Sequence, residues 1–306
     1  MSPRISRRLF ATAIIGSAVA GAALLRPKRA AAEAAHLAET KAEEMRRALG
    51  AVEAKNGGRL GVVAFDTRTG ARISHRAAER FAMCSTHKLI SAAAVLRLVD
   101  DGRLSLDRRL PFGEADLLEY APIARKSLEA GFMTIETACM AALAWSDNTA
   151  ANLLLGTIGG PAGWTKYARS LGDAVSRLDR IEPDLNSAVP GDPRDTTTPE
   201  AMARNVHRLL VGDALSGASS RRLREWMSDS PVTAGLLRAG LPKDWRVADK
   251  SGSGDNGTRN DVGLVLPSGA APIVASVYYT ESPLKGAARD PVIAEVGAIV
   301  RRSFAV

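Results

Sequence analysis

The residues that decide the fold begin with LGVVAF at 60–65, followed by DTRTG at 66–70 and ARIS at 71–74. Two short apolar runs on either side of a turn-forming segment predict a β-hairpin. Strand character returns near the other end of the chain, at Trp245–Ala248, Asp261–Leu266 and Pro272–Tyr279. Because these segments are far apart in sequence, they predict an α/β layer built from both ends of the chain.

Helical periodicity fills the interval between about Phe81 and Met227, where strand signals vanish. One stretch inside it, Asp179–Thr197, has no period and is rich in Pro, Asp, Gly and Ser, and a long irregular loop in a compact domain is more often functional than accidental. We therefore expect a discontinuous α/β domain of residues 33–76 and 228–306, and an inserted helical domain of residues 77–227 that contains the loop 179–197. Helices are predicted at His36–Val52, Lys88–Leu98, Ile135–Ala144, Ala150–Leu155, Gly163–Leu171, Glu200–Leu210, Ser220–Trp226 and Pro291–Phe304.

Composition and charge exclude several classes of protein. The 306 residues are 46% apolar and include two Cys, which excludes a disordered chain, a collagen and a disulfide scaffold. The formal charge of +8 suggests a nucleic-acid partner, but residues 1–32 hold six basic residues and no acidic one. Without them the charge is +2, so nucleic acid is not expected as a partner.

The N-terminus predicts an export signal. SRRLF at 6–10 is a twin-arginine region, and the uncharged run Ala11–Leu25 follows it. That run has fifteen residues, whereas a membrane span needs about 20, and small residues at 30–32 predict cleavage near Ala32. We expect export of the folded protein by the twin-arginine machinery to the periplasm; a short uncleaved anchor is the alternative.

The first chemical motif is STHK at 85–88, which opens a helical stretch. A spacing of three places Ser85 and Lys88 on one helix face, where the amine can accept the proton of a serine nucleophile if it is held out of water or near other cations. Free N–H groups at the helix start can stabilise an oxyanion. An N-cap serine followed by a surface lysine explains the motif equally well.

Two further motifs follow in order, SDN at 146–148 and KSG at 250–252. Each alone is also typical of local structure, the first of a turn between helices and the second of a strand that ends in a glycine turn. All three in this order match the active-site signature of penicillin-recognising serine enzymes.

With these motifs the sequence resembles a class A β-lactamase over nearly the whole mature chain. The distinguishing element is RIEPDLN at 180–186, where Glu182 precedes Asn186 by four residues. Arg180 and Asp195 match the ion pair that closes the ends of this loop in relatives, and the resemblance implies a cis Glu182–Pro183 bond. It also implies a five-stranded, mainly antiparallel sheet flanked by helices, an inserted helical domain, and an active site between them.

The resemblance implies a role for each motif in β-lactam hydrolysis. Ser85 would be the nucleophile, with its own N–H and that of Ser253 forming the oxyanion hole. Ser146 would pass a proton to the departing nitrogen, with Lys88 and Lys250 holding this relay together, and Glu182 would activate the deacylating water. Whether Glu182 or Lys88 also activates Ser85 stays open. Substrate contacts are implied at Asn148, Asn186, Lys250, Ser251, Ser253, Arg259 and Tyr120.

The remaining reactive residues are given structural roles. In relatives, cysteines at the positions of Cys84 and Cys139 form disulfides with partner cysteines. This chain has Gly254 and Ala92, respectively, at the positions of those partners, so the resemblance implies two free, buried thiols. His87 is expected to pack away from Ser85, and no metal or cofactor is implied.

We expect a monomeric periplasmic enzyme that hydrolyses penicillins and some cephalosporins. The alternatives are a peptidoglycan D-alanyl-D-alanine peptidase, which shares the three motifs but not the Glu182 loop, and a sensor that is acylated without turnover.

Overall fold

The computed structural model describes residues 39–228 and 230–304. The predicted export segment, residues 1–32, and its cleavage point near Ala32 lie outside them. Residues from 44 onward form one compact unit, and the finer division into two domains stays a prediction. Within the described ranges, no helix has the length and apolar character to cross a membrane.

The elements in chain order are α1 (39–56), β1 (Arg59–Asp66), β2 (Arg72–His75), β3 (Phe81–Ala82), α2 (His87–Asp100), β4 (Arg109–Pro111), α3 (Ala124–Ser127), β5 (Phe132–Thr134), α4 (Ile135–Ala144), α5 (Asn148–Thr157), α6 (Gly160–Ser170), β6 (Thr196–Thr197), α7 (Pro199–Leu210), α8 (Gly217–Ser228), β7 (Arg246–Gly254), β8 (Thr258–Leu266), β9 (Ile273–Thr280) and α9 (Asp290–Phe304).

A five-stranded antiparallel sheet confirms the expected fold class. Its strand order is β2–β1–β9–β8–β7, so segments from both ends of the chain are hydrogen-bonded neighbours. The hairpin of β1 and β2 forms as predicted, because the Asp66 carboxylate accepts the N–H groups of Arg68 and Thr69 in its turn. Strands β2 and β7 are the two edges of the sheet, and the free side of β7 is available to the helical part of the chain.

Each face of the sheet packs against a different helical layer. Side chains alternate between faces along a strand, so Val62 and Ala64 pack in the same apolar cluster as residues of α1 and α9. Val63, on the opposite face, belongs with Leu264 and Tyr278 to a larger cluster that includes residues of α2, α4, α5, α7 and α8. The active-site motifs lie on elements that pack in this larger layer.

The interval from Phe81 to Met227 differs in two ways from the expectation. It contains four short strands, β3 to β6, which pair as β3 with β6 and β4 with β5, and the short helix α3. Strands of two or three residues are too short to show alternation in a sequence, which is why the strand signal vanished there. Helix α7 begins at Pro199, one residue before the predicted Glu200, and the Thr198 side chain caps it by accepting the N–H of Ala201.

Candidate active site

The three motifs and the irregular loop meet at one open cleft. Its volume is about 340 Å³. Tyr120, whose residue surface is 48% exposed, lies at the cleft as the resemblance implied. The cleft is lined by Ser85, Tyr120, Ser146, Asn148, Asn186, Val232, Ser251, Ser253 and Arg259. All of these except Val232 were predicted from the sequence.

Ser85 lies in a 3-10 turn, Cys84–Thr86, immediately ahead of α2. The turn begins with a left-handed residue, since Cys84 has a φ of 46°, and the Thr86 hydroxyl closes it by donating to Met83 O at 2.8 Å. Ser85 itself is 8% exposed. Its hydroxyl donates to Glu182 Oε1 at 3.4 Å, so the predicted nucleophile and the loop carboxylate are in contact.

Lys88 is fully buried on the first turn of α2 and joins all the catalytic segments except β7. Its Nζ donates to Ser146 O at 2.9 Å and to Asn148 Oδ1 at 2.6 Å, and it lies 2.9 Å from Glu182 Oε1. An ammonium has three donors, and these three short contacts use them all. The surface-lysine alternative for this motif is therefore wrong.

Ser146 is held between the two buried lysines. Its φ of 58° is left-handed, and its Oγ lies 3.4 Å from Lys88 Nζ and accepts from Lys250 Nζ at 3.0 Å. Lys250 also donates to Ser251 O at 2.8 Å. Burial, followed by the neighbouring Lys88 charge, lowers the pKa of Lys250 well below its ordinary value. The hydroxyl of Ser146 is thus connected to both amines.

Asp147, in the same motif, has a structural role. It is fully buried, and its carboxylate accepts backbone N–H groups from Ala150, Ile123 and Ala124 at 2.9 Å. These bonds cap α5 and fix the start of α3, so Asp147 has a structural role.

Glu182 is held from both sides on the irregular loop. Its backbone N–H and C=O both bond to the Asn152 side chain, and its Oε2 accepts from Asn186 Nδ2. The expected cis Glu182–Pro183 bond is present. Burial acts to raise the pKa of Glu182, but the Lys88 ammonium, assisted by His87, outweighs it, and the pKa lies well below 4.5.

The ends of the loop are tied by the predicted pair. Arg180 Nε donates to Asp195 Oδ2 at 2.6 Å, and Asp195 Oδ1 accepts the N–H groups of Asp179 and Arg180 at 2.7 and 2.9 Å. The Asp195 side chain is 1% exposed. Its backbone carbonyl accepts from Met83 N at 2.9 Å, which connects the neck of the loop to the turn that carries Ser85.

Two glycines let β7 approach this turn and the loop. A Cβ at Gly252 would lie 2.8 Å from Met83 O, and one at Gly254 would lie 2.5 Å from Asn186 O and 2.6 Å from Cys84 Sγ. These distances are too short for any side chain. The approach brings Ser253, one of the two residues expected to supply an oxyanion-hole N–H, into the same cleft as Ser85.

Arg259 is paired, not solvated as an isolated strand arginine would be. Its Nε donates to Asp290 Oδ1 at 2.7 Å and its Nη1 donates to Ser253 Oγ at 2.7 Å. Asp290 is the first residue of α9. The sequence did not predict its pair with Arg259, because no local pattern links two residues that are 31 positions apart. The guanidinium is thereby fixed beside Ser251 and Ser253, where an anion is expected to bind.

The two cysteines are free and buried, as expected. Burial raises the pKa of both thiols. His87 is fully buried, as a packing residue should be, but its Nε2 also lies 3.5 Å from Glu182 Oε1. The sequence did not predict this contact, because helix spacing shows which way His87 points but not which loop covers it.

Comparisons with known proteins agree with the arrangement of these motifs. Residues 43–304 match the model of the β-lactamase enzyme family. The chain is 45% identical over 264 residues to β-lactamase CTX-M-97 of Escherichia coli (86% of this chain, 90% of the relative) and 47% identical over 246 residues to β-lactamase L2 of Stenotrophomonas maltophilia (80% and 81%). It superposes on the structure of an ancestral class A β-lactamase, GNCA, with a TM-score of 0.83 and 53% identity, over 85% of this chain and 100% of the other. Identity of this extent, together with the three motifs and the Glu182 loop around one cleft, shows that the chain belongs to the β-lactamase enzyme family as a class A serine β-lactamase.

Proposed function

We propose that this enzyme hydrolyses the lactam amide of penicillins and some cephalosporins through an ester on Ser85, and so provides resistance to these antibiotics. The observation that supports this best is the 3.4 Å contact between Ser85 Oγ and Glu182 Oε1 at an open cleft. At that separation one water molecule can touch both oxygens, so the same carboxylate can serve the hydroxyl first and the water later.

In the acylation step, Ser85 Oγ bonds to the lactam carbonyl carbon and the carbon–nitrogen bond breaks. Glu182 Oε1 is the acceptor already in contact with the hydroxyl, whereas Lys88 donates to three other oxygens. This geometry supports Glu182 as the base that takes the serine proton. Ser146, which accepts from Lys250, gives its proton to the departing nitrogen. The proton taken by Glu182 then passes through Lys88, which lies 2.9 Å from Glu182 Oε1 and 3.4 Å from Ser146 Oγ, to restore the Ser146 hydroxyl, and Glu182 is ionised again before deacylation.

In the deacylation step, water adds to the ester carbon and the bond to Ser85 Oγ breaks. Glu182 takes the proton of this water, and Ser85 recovers its hydroxyl proton. Asn186, which donates to Glu182 Oε2 and lines the cleft, is placed to hold the water at the carboxylate. Backbone N–H groups of Ser85 and Ser253 stabilise the oxyanion in both steps, and loss of one such donor costs about 3 kcal/mol in comparable sites.

The carboxylate shared by penicillins and cephalosporins is proposed to bind at Lys250, Ser251 and Arg259. Ser251 and Arg259 both line the cleft. Asn148 and Tyr120 line the cleft near Ser146 and are proposed to contact the substrate side chain.

The cellular setting is also part of the proposal. The twin-arginine sequence at 6–10 supports export of the folded enzyme to the periplasm, with cleavage near Ala32. We propose that it acts there as a monomer.

The test is turnover of nitrocefin and benzylpenicillin by the purified protein beside two variants of one loop. Glu182→Ala lacks the proposed acylation base, so it is expected to form an ester on Ser85 more slowly than the wild type, visible by intact mass, and to stop there. Asp184→Ala removes an exposed carboxylate two residues away and should turn over like the wild type. A single stoichiometric burst by the wild type, or sustained turnover by Glu182→Ala, would contradict the mechanism.

A further inference from the structure

The mechanism above leaves one buried titratable group of the first motif without a task. His87 is 0% exposed, and its Nε2 has no hydrogen-bond partner in the part of the chain that the structure describes. That nitrogen lies 3.5 Å from Glu182 Oε1, a contact at the outer limit of a hydrogen bond. A buried polar atom without a partner is costly, so its position against the catalytic carboxylate requires an explanation.

The other contacts of the ring indicate which nitrogen carries the proton. Nδ1 lies 3.2 Å from Ser91 Oγ, and the backbone carbonyl of His87 already accepts from Trp164 Nε1 at 3.0 Å. The Ser91 hydroxyl also lies 3.2 Å from the His87 carbonyl oxygen, so it can donate either to that oxygen or to Nδ1. Donation to Nδ1 leaves the ring proton on Nε2. The opposite tautomer would place a nitrogen lone pair against a carboxylate oxygen in a buried site, two acceptors with no proton between them.

Resting on the proposed function, we propose that His87 is a positioning residue for Glu182: its neutral ring directs Nε2–H at Oε1 and holds the carboxylate ionised and aimed at Ser85. Besides the Ser85 hydroxyl, three donors from two parts of the chain then hold the carboxylate. Lys88 and His87 from α2 meet Oε1, and Asn186 from the loop meets Oε2. Because Lys88 divides its donors among three acceptors, a second donor at Oε1 keeps Glu182 in place when the Lys88 contacts change during the proton transfers.

Burial favours the neutral form of the ring, and the charged groups around it act in both directions. Glu182 faces it from the loop, Lys88 lies beside it on α2, and Lys250 lies on β7; the nearby Cys84 thiol is kept protonated by burial. Burial, reinforced by the two lysines, lowers the pKa of His87 against the opposing effect of Glu182. The ring is thus a donor at neutral pH and does not add a second full charge beside the carboxylate.

The test compares two variants in the deacylation step. His87→Met keeps a buried side chain of similar size but has no donor, whereas His87→Gln keeps an N–H near the Nε2 position. Loss of a donor to a charged group should raise the apparent pKa of Glu182, so the acid limb of the deacylation rate of His87→Met should move to higher pH by about one unit. In His87→Gln the shift should be less than half as large, with KM little changed in both.

The controls separate failure of this inference from failure of the proposed function. His207→Met alters a histidine that packs on Phe65, away from the cleft, and should leave the acid limb unchanged. If the wild type turns over and Glu182→Ala traps the ester, but the acid limb of His87→Met coincides with that of the wild type, His87 is only a packing residue. An equal shift in His87→Gln and His87→Met would likewise overturn the donor role.

A measurement on the wild-type protein avoids the question of whether a variant folds. Imidazole ¹⁵N chemical shifts report which ring nitrogen carries the proton. The proposal requires a neutral His87 protonated on Nε2 at pH 7. Protonation on Nδ1 alone would refute it, whatever the kinetics of the variants.

Discussion

The neck of the Glu182 loop is the Arg180–Asp195 pair that joins its two ends. The substitution Asp195→Asn tests the importance of this pair most directly. Asp195 Oδ1 accepts the N–H groups of Asp179 and Arg180, while Oδ2 accepts from Arg180 Nε at 2.6 Å. Asparagine retains one carbonyl oxygen for the two backbone donors. Its amide nitrogen, however, must then face the arginine nitrogen, so that a charge-assisted bond is replaced by two opposed donors.

A hydrogen bond to a charged group contributes about 1.5–3 kcal/mol. Because the Arg180 side chain is 22% exposed and can recover some hydration, we expect a loss of about 2 kcal/mol in the free energy of unfolding. Urea unfolding followed by tryptophan fluorescence measures this loss as a lower midpoint with an unchanged slope. Asp192→Asn is the control, since Asp192 pairs on the same loop with Arg194, whose side chain is 52% exposed, and surface pairs contribute little.

The same substitution has a kinetic consequence. The neck is linked to Met83 and therefore to the turn that carries Ser85, but the loop residue it positions most directly is Glu182. Deacylation should therefore slow more than acylation, and ester should accumulate on Ser85 during turnover. If the free energy of unfolding of Asp195→Asn lies within about 0.5 kcal/mol of the wild-type value and no ester accumulates, the Arg180–Asp195 pair does not hold the loop in its active position.

Three further outcomes are expected. Hydrogen bonding to Arg76 lowers the pKa of Glu53 from 4.5 to about 2. The stability that this carboxylate provides is complete above pH 4.5 and is lost as the pH falls towards 2, so Glu53→Gln should flatten the decline of unfolding free energy in that window, measured in urea. Gly252→Ala places a Cβ 2.8 Å from Met83 O, and the resulting shift of β7 or of the serine turn should lower kcat/KM by about 10- to 100-fold; full activity would show that the close approach is dispensable. Alkylation should label neither cysteine in the folded protein and both after denaturation, as measured by mass spectrometry. A protein mass below that of the reduced chain by two hydrogen atoms would reveal a disulfide.

The site residues found from the sequence share one property, which is that local structure determines where each of them lies. Ser85 occupies a turn at a helix start, Ser146 a left-handed turn before α5, and Lys250 a strand opposite Val262. Such positions are encoded in short motifs, and the order of these motifs along the chain carried the resemblance that implied the cleft. The Arg180–Asp195 pair was implied only by that resemblance, since no local pattern links two residues that are 15 positions apart.

What the sequence did not predict depends on contacts between distant segments. Asp290 reaches Arg259 because α9 begins beside the start of β8, and Val232 lines the cleft from the short 3-10 helix Pro231–Thr233, which is too short to show a periodic signal. His87 was correctly expected to be buried, but its contact with Glu182 exists because the loop folds back over α2. Helix periodicity gives the direction of a side chain, whereas the identity of its neighbour depends on the tertiary fold.

The charges of the site show why the serine is reactive before any substrate arrives. Lys88, Lys250 and Glu182 are each at most 1% exposed, so two cations and one anion have been taken out of water together. Burial of this kind opposes folding, and apolar residues of similar size would often be at least as stable. The arrangement is therefore explained by reactivity: in a buried site, fixed charges act on Ser85 Oγ and Ser146 Oγ with little screening and without reorganising during the reaction. A neutral donor such as His87 fits this balance, because it holds the carboxylate without adding a third buried cation.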